Sequence, residues 1–228
     1  MAPIFTGLKL GFGRSANLID LNPLDINPGD SLEGGFFAGY ISHTADGNPT
    51  HALIVAPRAT GATGTGYTLP TNLQWKTTNT ITAGTTSSFD GAVNTAAMVT
   101  AGIADHPAAN FCKNLSIGGF TDWYLPARYE LDIAYFNLKP STDANSTSFG
   151  SNIYSVPRRD INNTADYPAQ TALTAFSTNA EAFVANNHWS SSEGNASNGR
   201  IVNFNNGSQS GASKTTNYRV RAFRRIAL

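Results

Sequence analysis

One cysteine in 228 residues, Cys112, excludes an internal disulfide framework and any pair of thiolates. Charge is also sparse: only 13% of residues are charged, and 15 basic side chains balance 15 acidic ones. A chain of zero formal net charge has no general attraction to nucleic acid or an anionic membrane, so neither is expected as a partner. No apolar run approaches the ~20 residues of a membrane-spanning helix, and no membrane insertion is expected. The segment Met1–Lys9 lacks the basic-then-apolar order of a secretory signal, which gives an expectation of synthesis in a cytoplasm. Reactive constellations are missing too. His43, His51, His106 and His188 fall at no metal-ligand spacing, and each is read as a surface or hydrogen-bonded loop histidine. No Gly-x-Ser-x-Gly elbow occurs, and Gly11-Phe12-Gly13 is a dinucleotide fingerprint cut short by Pro23. No cofactor and no catalytic residue is therefore expected.

What is present is Ser, Thr, Asn and Gly, the residues of long loops that hydrogen-bond through neutral groups, with 40% hydrophobic residues to build one core. Residues 1–30 are broken by Pro and Gly and read as an arm. Its apolar residues, among them Ile4, Phe5, Leu8 and Phe12, should dock on the domain or on a neighbouring subunit. Residues 31–228 form the domain. Within it, residues 34–41 and 51–57 flank the turn cluster Asp46-Gly47-Asn48-Pro49 and predict an antiparallel hairpin. Residues 58–89 read as a long loop anchored by Trp75. An Ala-rich helix is expected at about 92–99 and another from Pro107, with Cys112 on its buried face as a small core residue.

The chain is organised around Gly118-Gly119-Phe120-Thr121-Asp122-Trp123-Tyr124-Leu125-Pro126. Two glycines allow a bend, a short buried strand follows, and Pro126 is placed to open a helix. Leu131, Ala134, Tyr135 and Leu138 then mark one helical face up to Lys139-Pro140. A polar segment, 141–180, leads to strands at His188–Ser192, Arg200–Phe204 and Tyr218–Arg225. In the last, Tyr218, Val220 and Ala222 alternate with Arg219 and Arg221, which predicts one buried and one polar face.

This order of motifs, from Glu33-Gly34-Gly35-Phe36-Phe37 through Trp123-Tyr124-Leu125-Pro126, Trp189-Ser190-Ser191 and Val220-Arg221-Ala222-Phe223-Arg224-Arg225, resembles the C-terminal domain of the Legionella collagen-like adhesin and its relatives in tailed bacteriophages. The resemblance covers about residues 31–228. It implies an α+β, C-type-lectin-like fold with two main helices, a small twisted antiparallel sheet joining the chain ends, and long loops. It also implies a virion protein (tail, fibre or capsid decoration) that presents a lectin-like module for adsorption to host surface saccharide or protein. The alternative is a passive decoration protein touching only other virion proteins; in either case a homo-oligomer is expected. Formylglycine-generating oxidases share the fold superfamily but need two cysteines, so an enzyme is not expected.

The candidate ligand-binding residues are Trp189, Asn195, Asn198, Asn203, Asn205 and Tyr218. Small amides on loops with aromatic anchors are adaptable binding chemistry, and ordinary turn chemistry accounts for the same asparagines. Asp122, Glu130 and Asp132 read as hydrogen-bonded to backbone or arginine rather than as an acid pair. The Arg219, Arg221, Arg224, Arg225 cluster reads as paired internally with Asp122, Glu130 or Glu193. A calcium-binding sugar loop has no counterpart beyond the isolated Asn48-Pro49.

Overall fold

The expected hairpin forms the centre of the main sheet. After β1 (Ser31–Leu32), strands β2 (Gly35–Ile41) and β3 (His51–Val55) run antiparallel, with Tyr40 opposite Ala52. The computed structural model describes residues 22–177 and 181–228. The docking residues Ile4, Phe5, Leu8 and Phe12 lie outside them. From Asn22 the chain lies along β2: Gly29 N–H donates to Phe37 O at 2.7 Å, and Ile26 packs against the outer face of the sheet.

The loop after β3 has little regular structure, as its Thr and Gly content implies. It holds a single turn α1 (Arg58–Gly61) and two-residue strands β4 (Ala62–Thr63) and β5 (Leu73–Gln74). Helices α2 (Gly91–Gly102) and α3 (Pro107–Lys113) follow, the first longer than expected. Asp90 caps α2 by accepting the Val93 N–H at 2.9 Å. The central helix α4 (Arg128–Leu138) buries Leu131, Ala134, Tyr135 and Leu138. It does not open on Pro126. Ala127 is its N-cap, and the Pro126 carbonyl is used instead by the Ser191 N–H at 2.7 Å. An alanine has no side-chain acceptor, so only half a capping box exists: the Glu130 carboxylate accepts the Ala127 N–H at 2.7 Å.

Beyond α4 come β6 (Ser155–Val156), a turn of helix α5 (Thr174–Ser177), and the three-stranded meander β7 (Asn187–Glu193), β8 (Asn198–Asn203) and β9 (Gln209–Ser213). Among the described residues strand β9 pairs only with β8, and it has no β-branched or aromatic residue, so its sequence carries no strand signal. The expected strand 218–225 is in fact three: β10 (Asn217–Tyr218) on β5, β11 (Val220–Arg221) on β4, and β12 (Phe223–Ala227) on β3. One segment thus ties the long loop and the hairpin together.

The main sheet runs β1-β2-β3-β12, with β6 on β2 beside β1. β12 places the C-terminal residues next to the hairpin, Arg225 opposite Leu53. The expected strand at Trp123–Leu125 reduces to one bridge, Tyr124 to Phe223. Together with the helices this is an α+β fold of several antiparallel sheets.

All three tryptophans are fully buried and each indole N–H is bonded: Trp75 to Ser190 O, Trp123 to Phe120 O and Trp189 to Leu73 O. They join long loops to strands and form one cluster with Ile54, Met98, Cys112 and Val220. Cys112 is buried there and its thiol is pushed up far above its ordinary pKa by desolvation, which keeps it inert.

Candidate ligand pocket beside the central helix

Helix α4 turns its second face toward residues 145–168, and a pocket of about 410 Å³ lies between them. Much of the loop is held by neutral side chains. The Asn145 amide donates to the carbonyls of Thr164, Ala165 and Pro168 at 3.0, 3.2 and 3.0 Å, while its oxygen accepts the Tyr135 hydroxyl of α4. Asn152 and Arg159 exchange backbone hydrogen bonds, and Asn163 N–H donates to Phe149 O at 2.8 Å.

Ile133, Phe136, Val156, Pro157, Ile161 and Tyr167 give the pocket apolar walls. Ile161 and Tyr167 are 79% and 60% exposed, unusual for such side chains, and Tyr167 meets Phe136 edge-on at 5.3 Å. Arg159 lies over the Phe136 ring at 4.2 Å, ion-pairs through Nη2 with Asp132 and donates from Nε to Ser155 Oγ at 3.2 Å. Its Nη1 has no partner, and neither does Nδ2 of Asn163, although both are buried. Buried donors without a partner are costly, and Arg128 Nε, away from this pocket, is a third among the described residues.

Asp132 is buried behind this wall. Besides Arg159 it accepts Asn152 Nδ2 at 2.9 Å and Gln209 Nε2 at 3.1 Å. Burial raises its pKa while Arg159 opposes the rise. A second concavity, about 130 Å³ between Arg128, Glu193 and Arg200, is polar and well below the ~300 Å³ at which ligand sites begin.

The residues singled out from sequence do not converge. Trp189 is core and has no exposed surface for a ligand. Tyr218 is half-buried, packed edge-on against Trp189 at 5.1 Å. Asn195 and Asn198 stand at one end of β8, Asn203 and Asn205 at the other, about 17 Å away along the strand. Their side chains build turns. Asn195 Oδ1 accepts the N–H groups of Ser197 and Asn198, both at 2.9 Å. Asn203 Oδ1 accepts that of Asn205 at 2.8 Å, and Asn203 Nδ2 donates to Asn187.

The acids and arginines are engaged elsewhere. Asp122 and Glu33 pair with Arg224, Asp90 with Arg225, and Glu181 with Arg221. Glu193 pairs with Lys214 instead of an arginine. Arg221, expected on a polar face, is buried: Nε donates to Ala56 O at 2.9 Å, Nη1 to Glu181 O at 2.7 Å, and Phe183 lies 4.6 Å away. Glu130 accepts the Tyr124 hydroxyl at 2.7 Å and the Gly91 N–H at 3.2 Å, and burial pushes its pKa up to about 8.

Two of the histidines are not at the surface. His106 precedes α3 fully buried, bonded to Thr82 Oγ1. His188 is buried on β7 beside the Tyr67 hydroxyl, 2.5 Å away, its pKa pushed down to about 3 by desolvation. Among the described residues no three His, Cys, Asp or Glu side chains are grouped to hold a metal ion.

The sequence carried one overlooked signal for the pocket: within residues 158–168, beside Arg158 and Arg159, Ile161 and Tyr167 are the two large apolar residues.

Among the described residues, this loop-rich α+β domain pairs most of its buried ionisable groups internally and carries an open-mouthed apolar pocket beside α4. Residues 64–224 match the Lcl C-terminal domain, and the chain belongs to that family, an adhesin-type family not known for enzymes. No curated protein matches the chain.

Proposed function

We propose that the chain is a C-type-lectin-like binding module of a bacteriophage virion (tail, fibre or capsid decoration) that attaches the particle to its host's surface. Membership of an adhesin-type family supports an adhesin-like role. The observation that carries the reading is the pocket of about 410 Å³, aromatic-walled and backed by two orphaned donors. A passive decoration protein has no use for such a cavity. The pairing of β12 with the hairpin, with long tryptophan-anchored loops between, supports the lectin-like assignment. In this reading residues 1–30, with Ile4, Phe5, Leu8 and Phe12, dock the module to other virion proteins, and a homo-oligomer presents several pockets at once. Weak single sites then gain avidity.

The test is adsorption. The purified chain should bind cells of the phage's host and compete with the phage for attachment. A protein that localises to the particle but neither binds cells nor slows adsorption would instead be a decoration protein.

A further inference from the structure

The walls and the orphaned donors also indicate what kind of molecule the pocket takes. This step rests on the reading of the chain as a surface-binding module. Its ligand must offer an acceptor oxygen to Arg159 Nη1 and Asn163 Nδ2, both buried and unpartnered. It must also offer apolar surface to Phe136 and Pro157, and a flat face to the exposed ring of Tyr167.

Charge decides between a carboxylate and a neutral carbonyl. Arg159 is already paired with Asp132, and Arg158 is paired with Asp160 at 2.6 Å. Each cation of the lining therefore has its anion. A ligand carboxylate at Arg159 Nη1 would add a second negative charge to a cation already neutralised by buried Asp132. A carbonyl oxygen would satisfy the same donors without that cost. The apolar walls then call for a methyl group next to the carbonyl, and an acetamido group supplies both.

We propose that the pocket binds an N-acetylated sugar residue, its acetamido oxygen accepting from Arg159 and Asn163, its methyl on Phe136 and Pro157, and its ring on Tyr167. Both donors are buried, so the sugar reaches them only if the lining opens as it enters. At about 410 Å³ the pocket is of small-ligand size, suited to a single sugar residue.

The experiment is ligand-observed NMR and calorimetry on the full chain with N-acetylglucosamine, N-acetylgalactosamine, glucosamine and glucuronate. At least one N-acetyl sugar should bind about tenfold or more tightly than glucosamine and glucuronate, one hydrogen bond to a charged donor being worth that ratio. Ile161→Trp should fill the mouth and abolish binding while leaving the melting temperature unchanged, since Ile161 is mostly exposed. Arg159→Met should weaken binding, with a melting curve to register the loss of its pair with Asp132. Glucuronate binding as well as the N-acetyl sugars, or no binding of either N-acetyl sugar, overturns the proposal. If the chain still attaches to host cells in that case, only the ligand class is wrong. If it attaches to none, the adhesin reading falls as well.

Discussion

Asn137 of α4 donates from Nδ2 to the carbonyl of Ala38 at 2.8 Å, filling the gap left where β2 bulges between Phe37 and Gly39. The bulge exists because Gly39 has φ of +138° and because α4 approaches closely: a Cβ there would lie 2.5 Å from Asn137 Nδ2 and 2.7 Å from Ile133 Cγ2. Ile133 and Asn137 also line the pocket, so this contact sets the pocket's inner wall.

Gly39→Ala should therefore cost about 2–4 kcal/mol, from backbone strain plus collision with α4. Asn137→Ala should cost about 1–2 kcal/mol by stranding the buried Ala38 carbonyl. Chemical denaturation of both single variants and the double variant measures the coupling. Additive losses would mean that the amide and the bulge are independent.

The ionisable core predicts a stability maximum in mildly acidic to neutral solution. Glu130 has its folded pKa raised from 4.5 to about 8, so it holds a proton longer than in the unfolded chain. Its contribution is fully present below pH 4.5 and is lost as pH rises toward 8. His188 and His43 are depressed from 6.5 to about 3 and about 4, mainly by burial, so they favour the fold above pH 6.5 and cease to as pH falls. Melting temperature should fall on both sides. Glu130→Gln should flatten the alkaline limb, because the amide oxygen keeps the two backbone N–H groups and the Tyr124 hydroxyl can turn to accept. An alkaline limb unchanged in that variant would assign it to another group.

Trp189 separates core from binding site. Trp189→Phe removes the bond to Leu73 O and leaves a gap beside Trp75 and Tyr218, with an expected loss of about 2–4 kcal/mol. Sugar affinity of the folded fraction should not change. A loss of affinity without a loss of stability would return Trp189 to the ligand site.

Much of the frame was legible in the sequence, because periodicity reports what a residue packs against. Leu131, Ala134, Tyr135 and Leu138 announced the buried face of α4, and aromatic, β-branched runs announced β2 and β3. The division of 217–227 among three partners was not legible, since alternation tells which face is buried but not which strand lies alongside. Arg221 misled for a related reason: its burial depends on Glu181 and the Ala56 carbonyl, supplied from distant parts of the chain. The asparagines drew attention as a group, yet their role is local, each closing its own turn. The pocket was hidden because its walls come from α4, β6 and the stretch 158–168, where the large apolar side chains are the isolated Ile161 and Tyr167.

A buried ion pair stitches the loop after β5 to the meander. Lys214 is fully buried and Glu193 nearly so; they pair directly, and Lys214 also donates to Thr80 O at 2.7 Å and lies 4.8 Å from the Trp75 ring. Glu193 accepts the Thr82 N–H at 2.9 Å as well. Desolvation lowers the Lys214 pKa and the carboxylate opposes it. Removing one charge leaves the other stranded, so Glu193→Gln should cost about 3–5 kcal/mol. Replacing both, Glu193→Gln with Lys214→Met, should recover a substantial part of that loss, because the methionine needs no counter-charge and keeps contact with Trp75. The pocket beside α4 involves neither residue, so sugar affinity should be the same in all three proteins. Denaturation midpoints and binding measured on the same samples check both statements. A double variant as unstable as Glu193→Gln alone would show that packing around the lysine stem, rather than the stranded charge, sets the cost.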